Sequence, residues 1–462
     1  MRFHLLIPEV RELLLEGKQE DLLSVLAEMH PTDAASILSA LTIPEIASVL
    51  TMLPADFERD VFGYLEPDVQ EEYITGIGRE RVRKVLQAML SDDRAAFLDR
   101  LDPRVRDQLI PLLPNAARED LLRRGTFRED QVGSFLTTDY AVLNPLLTAR
   151  GAIAELRRQA PSKETIYYSY VLDRVGTLIG FVSLRDLILA NETQPVGEIM
   201  KTDLVSIGAE ADQEEAARII RDYDLIALPV VDTAGRLVGI VTHDDAVDIV
   251  EEEAQEDIEK MAGVTGASEG DDFLEEPVLV QLRRRAPMIC LLAVFWVVTA
   301  TVIKGFEGLL AHRGTLVATM GMVMAIGGMV GSQASTLIIR AVSKQSGQSP
   351  FAKLLSKELL VSLGLAAALA VIAFGNALFL QWFEGPAAPG TPEPTISGLR
   401  IATVIGIAMA ADVVFAAMLG ASIPHLVKML RIDPALISTP AVTALTDLTG
   451  ASIYLVLVML ML

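Results

Sequence analysis

The chain has 462 residues, 51% of them hydrophobic, and a formal net charge of −22, a length that accommodates three or four domains. The charge is uneven: residues 288–462 hold 7 acidic and 9 basic side chains, a balance of +2, whereas residues 1–287 hold 54 acidic and 30 basic, a balance of −24. An acidic part followed by a nearly neutral apolar part excludes nucleic acid as a partner, since its binders need basic surface, and the single cysteine, Cys290, excludes an intrachain disulfide.

The opening Met1-Arg-Phe-His-Leu-Leu-Ile-Pro8 has too short an apolar run for a signal peptide. Residues 1 to about 130 read as short helices in a loose repeat. Their segments open on a proline with an acid, as in Pro31-Thr32-Asp33, Pro44-Glu45, Pro54-Ala55-Asp56 and Pro67-Asp68, followed by Ser91-Asp92-Asp93 and Asp102-Pro103. Proline suits the first helical turn, and acids there complement the helix dipole. Apolar residues then recur at helical spacing, as at Ala34, Ile37, Leu38 and Leu41. Stacked short helices of this kind predict an all-α superhelix whose handedness the pattern does not set, serving as a regulatory domain or as a scaffold.

Residues 133–250 contain a duplication. Asp173-Arg-Val-Gly176-Thr-Leu-Ile-Gly180-Phe-Val-Ser183-Leu-Arg-Asp186 matches Asp232-Thr-Ala-Gly235-Arg-Leu-Val-Gly239-Ile-Val-Thr242-His-Asp-Asp245 at a constant offset of 59 positions. Each copy predicts strand, glycine turn, strand, then helix. The duplication resembles a pair of CBS domains, α/β units that pack as one module. In that family the Ser/Thr and Asp after the second strand often contact a nucleotide, which points to Ser183, Asp186, Thr242 and Asp245 and to ATP as a ligand; a turn and a helix cap account for the same residues. No P-loop is present, so ATP hydrolysis is not expected.

The most acidic run follows: Asp244, Asp245, Asp248, Glu251, Glu252, Glu253, Glu256, Asp257 and Glu259, with no basic residue before Lys260. On a helix, Asp245, Asp248, Glu252, Glu256 and Glu259 share one face, where like charges repel. Divalent cations bound between this helix and an acidic partner face would relieve that repulsion; an acidic solvent face is the alternative. Asp212-Gln-Glu214-Glu215 and Asp222-Tyr-Asp224 are the candidate partner face.

A membrane helix needs about 20 mostly apolar residues, and five candidates appear, at 287–309, 315–340, 358–383, 398–424 and 436–461. Arg283–Arg285, then Arg340, Lys344, Lys353 and Lys357, then Lys428 and Arg431 flank them on one side, while Lys304, Arg313 and Arg400 lie on the other. The positive-inside rule places the N-terminal part in the cytoplasm and the C-terminus outside. The second span carries Gly327, Gly328 and Gly331, which permit close helix contact. The last carries Asp447 with Thr439, Thr443, Thr446 and Thr449 around it, and Ser438 just before. An intramembrane acid usually faces a watery cavity and a cation, and hard divalent cations take oxygen ligands. A buried aspartate bonded to a neighbour is the alternative. Asp412, mid-span in the fourth helix, is expected to face the interior too and reads as structural rather than as a ligand.

Asp433-Pro434-Ala435, Ser438, Pro440, Thr443, Asp447, Thr449 and Gly450 resemble the last-helix signature of the MgtE family of magnesium channels. Gly327, Gly328, Gly331 and Gln333 are similar to that family's GGNxGxQ pattern, with Met329 in place of the usual asparagine, and Gly305-Phe306-Glu307 also matches. The resemblance covers the whole chain. It implies a multidomain fold: an all-α superhelical N-terminal domain (1–130), two CBS domains (133–195 and 196–250), an acidic connecting or plug helix and linker (251–282), and an all-α transmembrane domain of five helices (283–462). It further implies a non-enzymatic, Mg2+-selective channel in the plasma membrane, a homodimer with its pore at the interface. Asp447 would be the pore ligand. Asp212, Glu214, Asp224, Asp245, Asp248, Glu253, Glu256 and Asp257 would bind regulatory Mg2+ that closes the channel, with either Asp92 or Asp93 adding a ligand. Met329 keeps a transporter of Mn2+, Co2+ or Ca2+ as an alternative, and a non-conducting nucleotide-sensing receptor is a second. No nucleophile–base pair or Cys/His metal site stands out among five histidines and one cysteine.

Overall fold

A computed structural model describes residues 6–264, 266, 276–310, 314–344, 351–384, 397–429 and 439–462. They form two compact units, 1–251 and 252–462. Asp433, Pro434, Ala435 and Ser438 of the last-helix signature lie outside the described residues.

The first unit begins with ten α-helices among the described residues, from α1 (Ile7–Leu15) through α8 (Ser91–Arg100) to α10 (Asn115–Arg124). Pro31, Pro44, Pro67 and Pro103 each occupy a first helical turn, where the missing N–H costs nothing. Thr42 and Glu45 add a reciprocal capping box. Each helix is too short to be stable alone, and stability comes from stacking: Leu26, Leu38, Leu50, Phe62, Tyr73 and Phe97 are all buried in one continuous core reaching from Val10 to Leu113.

The duplicated region follows α11 (Val132–Phe135). Its first copy is β1 (Tyr140–Leu143), α12 (Ala149–Gln159), β2 (Thr165–Leu172), β3 (Leu178–Ser183) and α13 (Leu184–Leu189). After α14 (Val196–Ile199), the second copy repeats it as β4 (Ile207–Gly208), α15 (Gln213–Tyr223), β5 (Ala227–Val231), β6 (Leu237–Thr242) and α16 (His243–Ala262). In both sheets the first strand runs parallel to the second and the second antiparallel to the third. Gly176 and Gly235 turn the two hairpins at φ of 89° and 76°, conformations that side chains disfavour. The copies exchange backbone: Thr137 pairs with Ile240 of the second sheet, and Lys201 pairs with Phe181 of the first. One module results from two sheets that each borrow an edge.

The helical array is pinned to this module through Ser91 at the start of α8. Its N–H donates to Asp139 at 2.8 Å, and its hydroxyl lies 3.1 Å from the Thr137 hydroxyl. The same oxygen accepts from the Thr138 N–H at 2.8 Å and from Arg124 at 3.3 Å.

The acidic run does not start a new element. It continues the helix of the second copy, because neither Gly nor Pro interrupts 243–262; Gly263, at φ 80°, ends it. Among the described residues of the second unit, five helices are long and apolar enough to cross a membrane. They are α17 (Val278–Gly305), then, after the short α18 (Glu307–Leu310), α19 (Gly314–Lys344), α20 (Phe351–Glu384), α21 (Gly398–Met429) and α22 (Thr439–Met461). The first begins earlier than hydropathy predicts, so Arg283–Arg285 lie within α17, and Pro287 sits inside the helix rather than opening it. Helices α19, α21 and α22 form the packed centre, with Leu316, Val323, Ile405, Met409, Tyr454 and Leu455 buried between them. Most of the surface of α17 and α20 is left to the surroundings.

Replacing Ser91 by Ala leaves the Thr138 N–H and Arg124 without their acceptor, at a cost of about 1–3 kcal/mol. Hydrogen exchange on the detergent-solubilised protein should then accelerate at Thr138 and the first turn of α8; unaltered protection there contradicts the pinning role.

Candidate functional site

Two constellations of carboxylates stand out, one in each unit. In the spanning unit, Asp447 lies on α22, half-buried, with Oδ1 3.3 Å from where a Cβ on Gly328 would stand. Glycine at 328 and 331 lets α22 close onto α19: a Cβ at 331 would meet the Thr446 methyl at 2.8 Å. Thr443 bridges the same two helices through a 2.7 Å contact with the Ser332 hydroxyl. The threonines around Asp447 donate to carbonyls one turn back, Thr443 to Thr439, Thr446 to Val442 and Thr449 to Leu445. Their protons are therefore committed, and only oxygen lone pairs remain to offer a ligand. No basic side chain pairs with Asp447 among the described residues. Met329, where the glycine pattern departs from the family, is 63% exposed and points away from this junction, and Gln333 is exposed too.

Asp412 on α21 reaches the same junction and is fully buried. Asp412 faces the interior, as its place mid-span suggests, although α21 is apolar nearly all round and its pattern marks no inward face.

In the first unit, Asp92 and Asp93 in the opening turn of α8 lie within electrostatic reach of Glu164, just before β2, and of Asp244 and Asp245 at the start of α16, without any three of these side chains closing to metal-binding distance. Burial, then the charges of Asp245 and Asp93, push the Asp92 carboxyl up to about 7. Burial, then Asp92, Asp93, Asp244 and Asp245, push Glu164 up to about 8. Asp93, more open to solvent, is raised by partial loss of water and by Asp245; Asp245 is raised by burial and by its helix neighbours Asp244 and Asp248. Asp92 Oδ1 and Glu164 Oε2 are buried with no hydrogen-bond partner. Orphaned carboxylate oxygens facing like charges suit a divalent cation, which takes oxygen ligands and cancels the repulsion. Both Asp92 and Asp93 face the cluster. Glu164 carries no sequence signal, being an isolated acid beside Lys163 with no motif around it.

The remaining predicted residues have other local roles. Asp212 caps α15, its Oδ1 accepting from the Glu214 N–H at 2.9 Å, and Glu214 lies in the first turn. Asp224 ends the same helix in the left-handed conformation, φ 53°, which aspartate tolerates better than most residues. Asp248 is exposed on α16. Farther along that helix Glu253 and Asp257 lie within its acidic turns, and Glu256 pairs with Lys260 at 3.0 Å. Among the described residues, no three His, Cys, Asp or Glu side chains converge closely enough to hold a metal. The nucleotide candidates form matching caps. Ser183 donates to Asp186 at 2.6 Å and accepts from its N–H, and Asp186 pairs with Lys201 at 3.1 Å. Thr242 donates to Asp245 through its N–H at 3.0 Å and its hydroxyl at 2.7 Å. Arg284 of α17, which the sequence offered only as a topology marker, donates to Glu259, to Glu276 at 2.8 Å and to the Gly266 carbonyl at 2.7 Å. It thereby anchors the end of α16 to the first spanning helix.

Family profiles match in three places: an MgtE intracellular N domain at 29–130, a CBS domain at 196–252, and MgtE, described as a divalent cation transporter, at 320–457. The chain is 35% identical to a magnesium transporter MgtE of Thermus thermophilus, over 96% of each chain. It is 30% identical to the magnesium transporter MgtE of Bacillus subtilis, over 98% of this chain and 97% of that one. The crystal structure of the soluble part of a magnesium transporter aligns with a TM-score of 0.51 at 27% identity, covering 55% of this chain and 99% of that one.

The acid cluster has a pH signature. Asp92 holds its proton to about pH 7 and Glu164 to about pH 8 when folded, but carboxyls do so only to about pH 4 when unfolded, so between those limits the unfolded state binds fewer protons and stability falls as pH rises. In chelator, the melting temperature of the unit carrying the cluster should drop between about pH 5.5 and about pH 8.5, and millimolar Mg2+ should restore it more at the higher pH. Asp92→Asn should flatten the drop; a pH profile that this substitution leaves unchanged counts against the cluster.

Proposed function

The chain belongs to the MgtE family of divalent cation transporters, and from that premise we propose that it is a Mg2+-selective channel that closes when cytosolic Mg2+ is abundant. The observation that carries the conduction reading is Asp447. It is a half-buried carboxylate at the packed centre of the spanning helices, without a basic partner among the described residues, and such an acid is costly in a membrane unless a cation or water meets it. A single carboxylate with threonine oxygens nearby suits an ion that keeps much of its hydration shell, as Mg2+ does. The membrane potential favours inward flux by about 2.3 kcal/mol per charge per 100 mV.

Regulation follows from the acid cluster. With Mg2+ bound among Asp92, Asp93, Glu164 and Asp245, the α8 turn and the start of α16 are held together; without it, the ionised members of the group repel. Asp212, Glu214, Asp224, Asp248, Glu253, Glu256 and Asp257 add negative surface on which further Mg2+ acts. Because α16 is one helix from the cluster to Ala262, and Arg284 fixes its end to α17, a change at the cluster has a continuous element along which to act. This is a local electrostatic event biasing a two-state element. The active form is a homodimer in the plasma membrane with the N-terminal part in the cytoplasm and the C-terminus outside, following the distribution of basic residues. An adenine nucleotide at the CBS pair would engage Ser183, Asp186 and Thr242 by exchanging their mutual cap bonds for bonds to ribose or phosphate.

Asp447→Ala should abolish Mg2+ uptake into vesicles reconstituted with the full chain, and undiminished uptake removes its assigned role. Neutralising Asp248, Glu253 and Asp257 together should leave conductance high when Mg2+ is present on the cytosolic side. Intact Mg2+ inhibition in that variant rejects the switch.

A further inference from the structure

Arg284, in the second turn of α17, gathers three stretches of chain. Its Nη1 donates to Glu276 at 2.8 Å, its Nη2 to Glu259 near the end of α16, and Nε and Nη2 to the Gly266 carbonyl at 3.1 and 2.7 Å. All three guanidinium nitrogens are engaged, and only 10% of the side chain is exposed. Charge-assisted bonds shielded in this way hold better than exposed ion pairs. A lysine carries the same charge but cannot reproduce the planar fork. Arg283 and Arg285, on either side, are exposed. Membrane orientation accounts for those two, but it does not require a guanidinium with every nitrogen tied to the chain.

The joint lies between two helices with different tasks. On one side, α16 runs unbroken from Asp245 of the acid cluster to Glu259. On the other, α17 enters the spanning bundle, where its chief neighbour is α22, the helix that carries Asp447. Glu259 is committed to Arg284, so it serves the joint rather than the sensing of cations. We propose that Arg284 is the positioning residue that transmits closure by Mg2+ from α16 to the spanning helices. It does so by making the end of α16 and the entry of α17 move as one piece against α22. The proposal rests on the reading of the chain as a channel closed by cytosolic Mg2+ and deepens it by naming the joint. With the joint broken, cations still gather at the acid cluster, but the spanning helices no longer respond. Coupling is reciprocal, so a cluster relieved of the work of moving those helices binds Mg2+ at least as tightly as before.

The test uses the full chain in liposomes with Mg2+ as the probe. Arg284→Gln should raise the cytosolic Mg2+ concentration for half-maximal inhibition of flux at least about tenfold. The Mg2+ concentration that protects the first unit against thermal unfolding should not rise. Arg284→Lys should shift inhibition in the same direction, which separates the fork from the charge. Glu259→Gln should do so too, and the double variant Arg284→Gln with Glu259→Gln should match Arg284→Gln alone, because the two side chains act through one bond. If Arg284→Gln fails to insert, Glu259→Gln decides, and unchanged inhibition there overturns the proposal. Unchanged inhibition in a well-inserted Arg284→Gln overturns it as well and leaves the channel reading standing. Inhibition and thermal protection weakened together also overturn it, since they make Arg284 a structural prop. A wild-type flux that cytosolic Mg2+ does not inhibit overturns the closure reading, and this inference with it.

Discussion

Carboxylates held with too little countercharge are the constraint on which the rest of this structure depends. Folded proteins ordinarily pair or expose their acids, because burying an uncompensated charge is expensive. Here each compact unit gathers acids where water is scarce. In the first unit Asp92, Asp93, Glu164 and Asp245 crowd one seam, and burial with mutual repulsion holds their protons well above the usual carboxylate range. In the spanning unit Asp412 and Asp447 meet at the junction of three helices. Such acids are tolerated when a proton neutralises them, and a divalent cation is an oxygen-seeking species that would take the proton's place.

The scaffold around each group of acids is built to keep them close. At the seam, Ser91 takes four hydrogen-bonding contacts from both sides, so α8 cannot drift from the duplicated module without leaving polar groups unpaired. Among the spanning helices, the absence of side chains at Gly327, Gly328, Gly331 and Gly450 brings the backbones of α19, α21 and α22 close together. Small-residue contacts of this kind take the place, in lipid, of the hydrophobic effect that drives packing in water. The same glycines that allow the packing shape the space around the acids, so architecture and site are not separable there.

Several acids do two jobs. Asp245 caps α16 through Thr242 and also belongs to the crowded seam. Asp212 and Asp224 begin and end α15 while adding to the negative surface. A cap bond uses one lone pair of a carboxylate and leaves the others for a cation, so a capping role does not compete with ion binding. It fixes where the charge sits.

The linear order of residues determined everything that depends on neighbours along the chain. Five spans follow from local hydropathy, the paired α/β copies from an offset of 59 positions, the short first-domain helices from their prolines, and Asp447 from being an acid in an apolar run. Hydropathy misplaced the start of α17, because a helix does not end where its apolar stretch does; Arg283–Arg285 extend it toward water. Tertiary structure alone decided what depends on faces and on distant partners. Glu164 joins Asp92 only because the stacked helices and the duplicated module fold against each other, and nothing adjacent to it in the chain marks it. An inward-facing Asp412 could be expected from its place mid-span, but that it meets Gly327 and Gly450 on two other helices is set by packing alone. Local pattern reports which residues can form an element, but which charges end up sharing one small volume is set by packing between elements far apart in the chain.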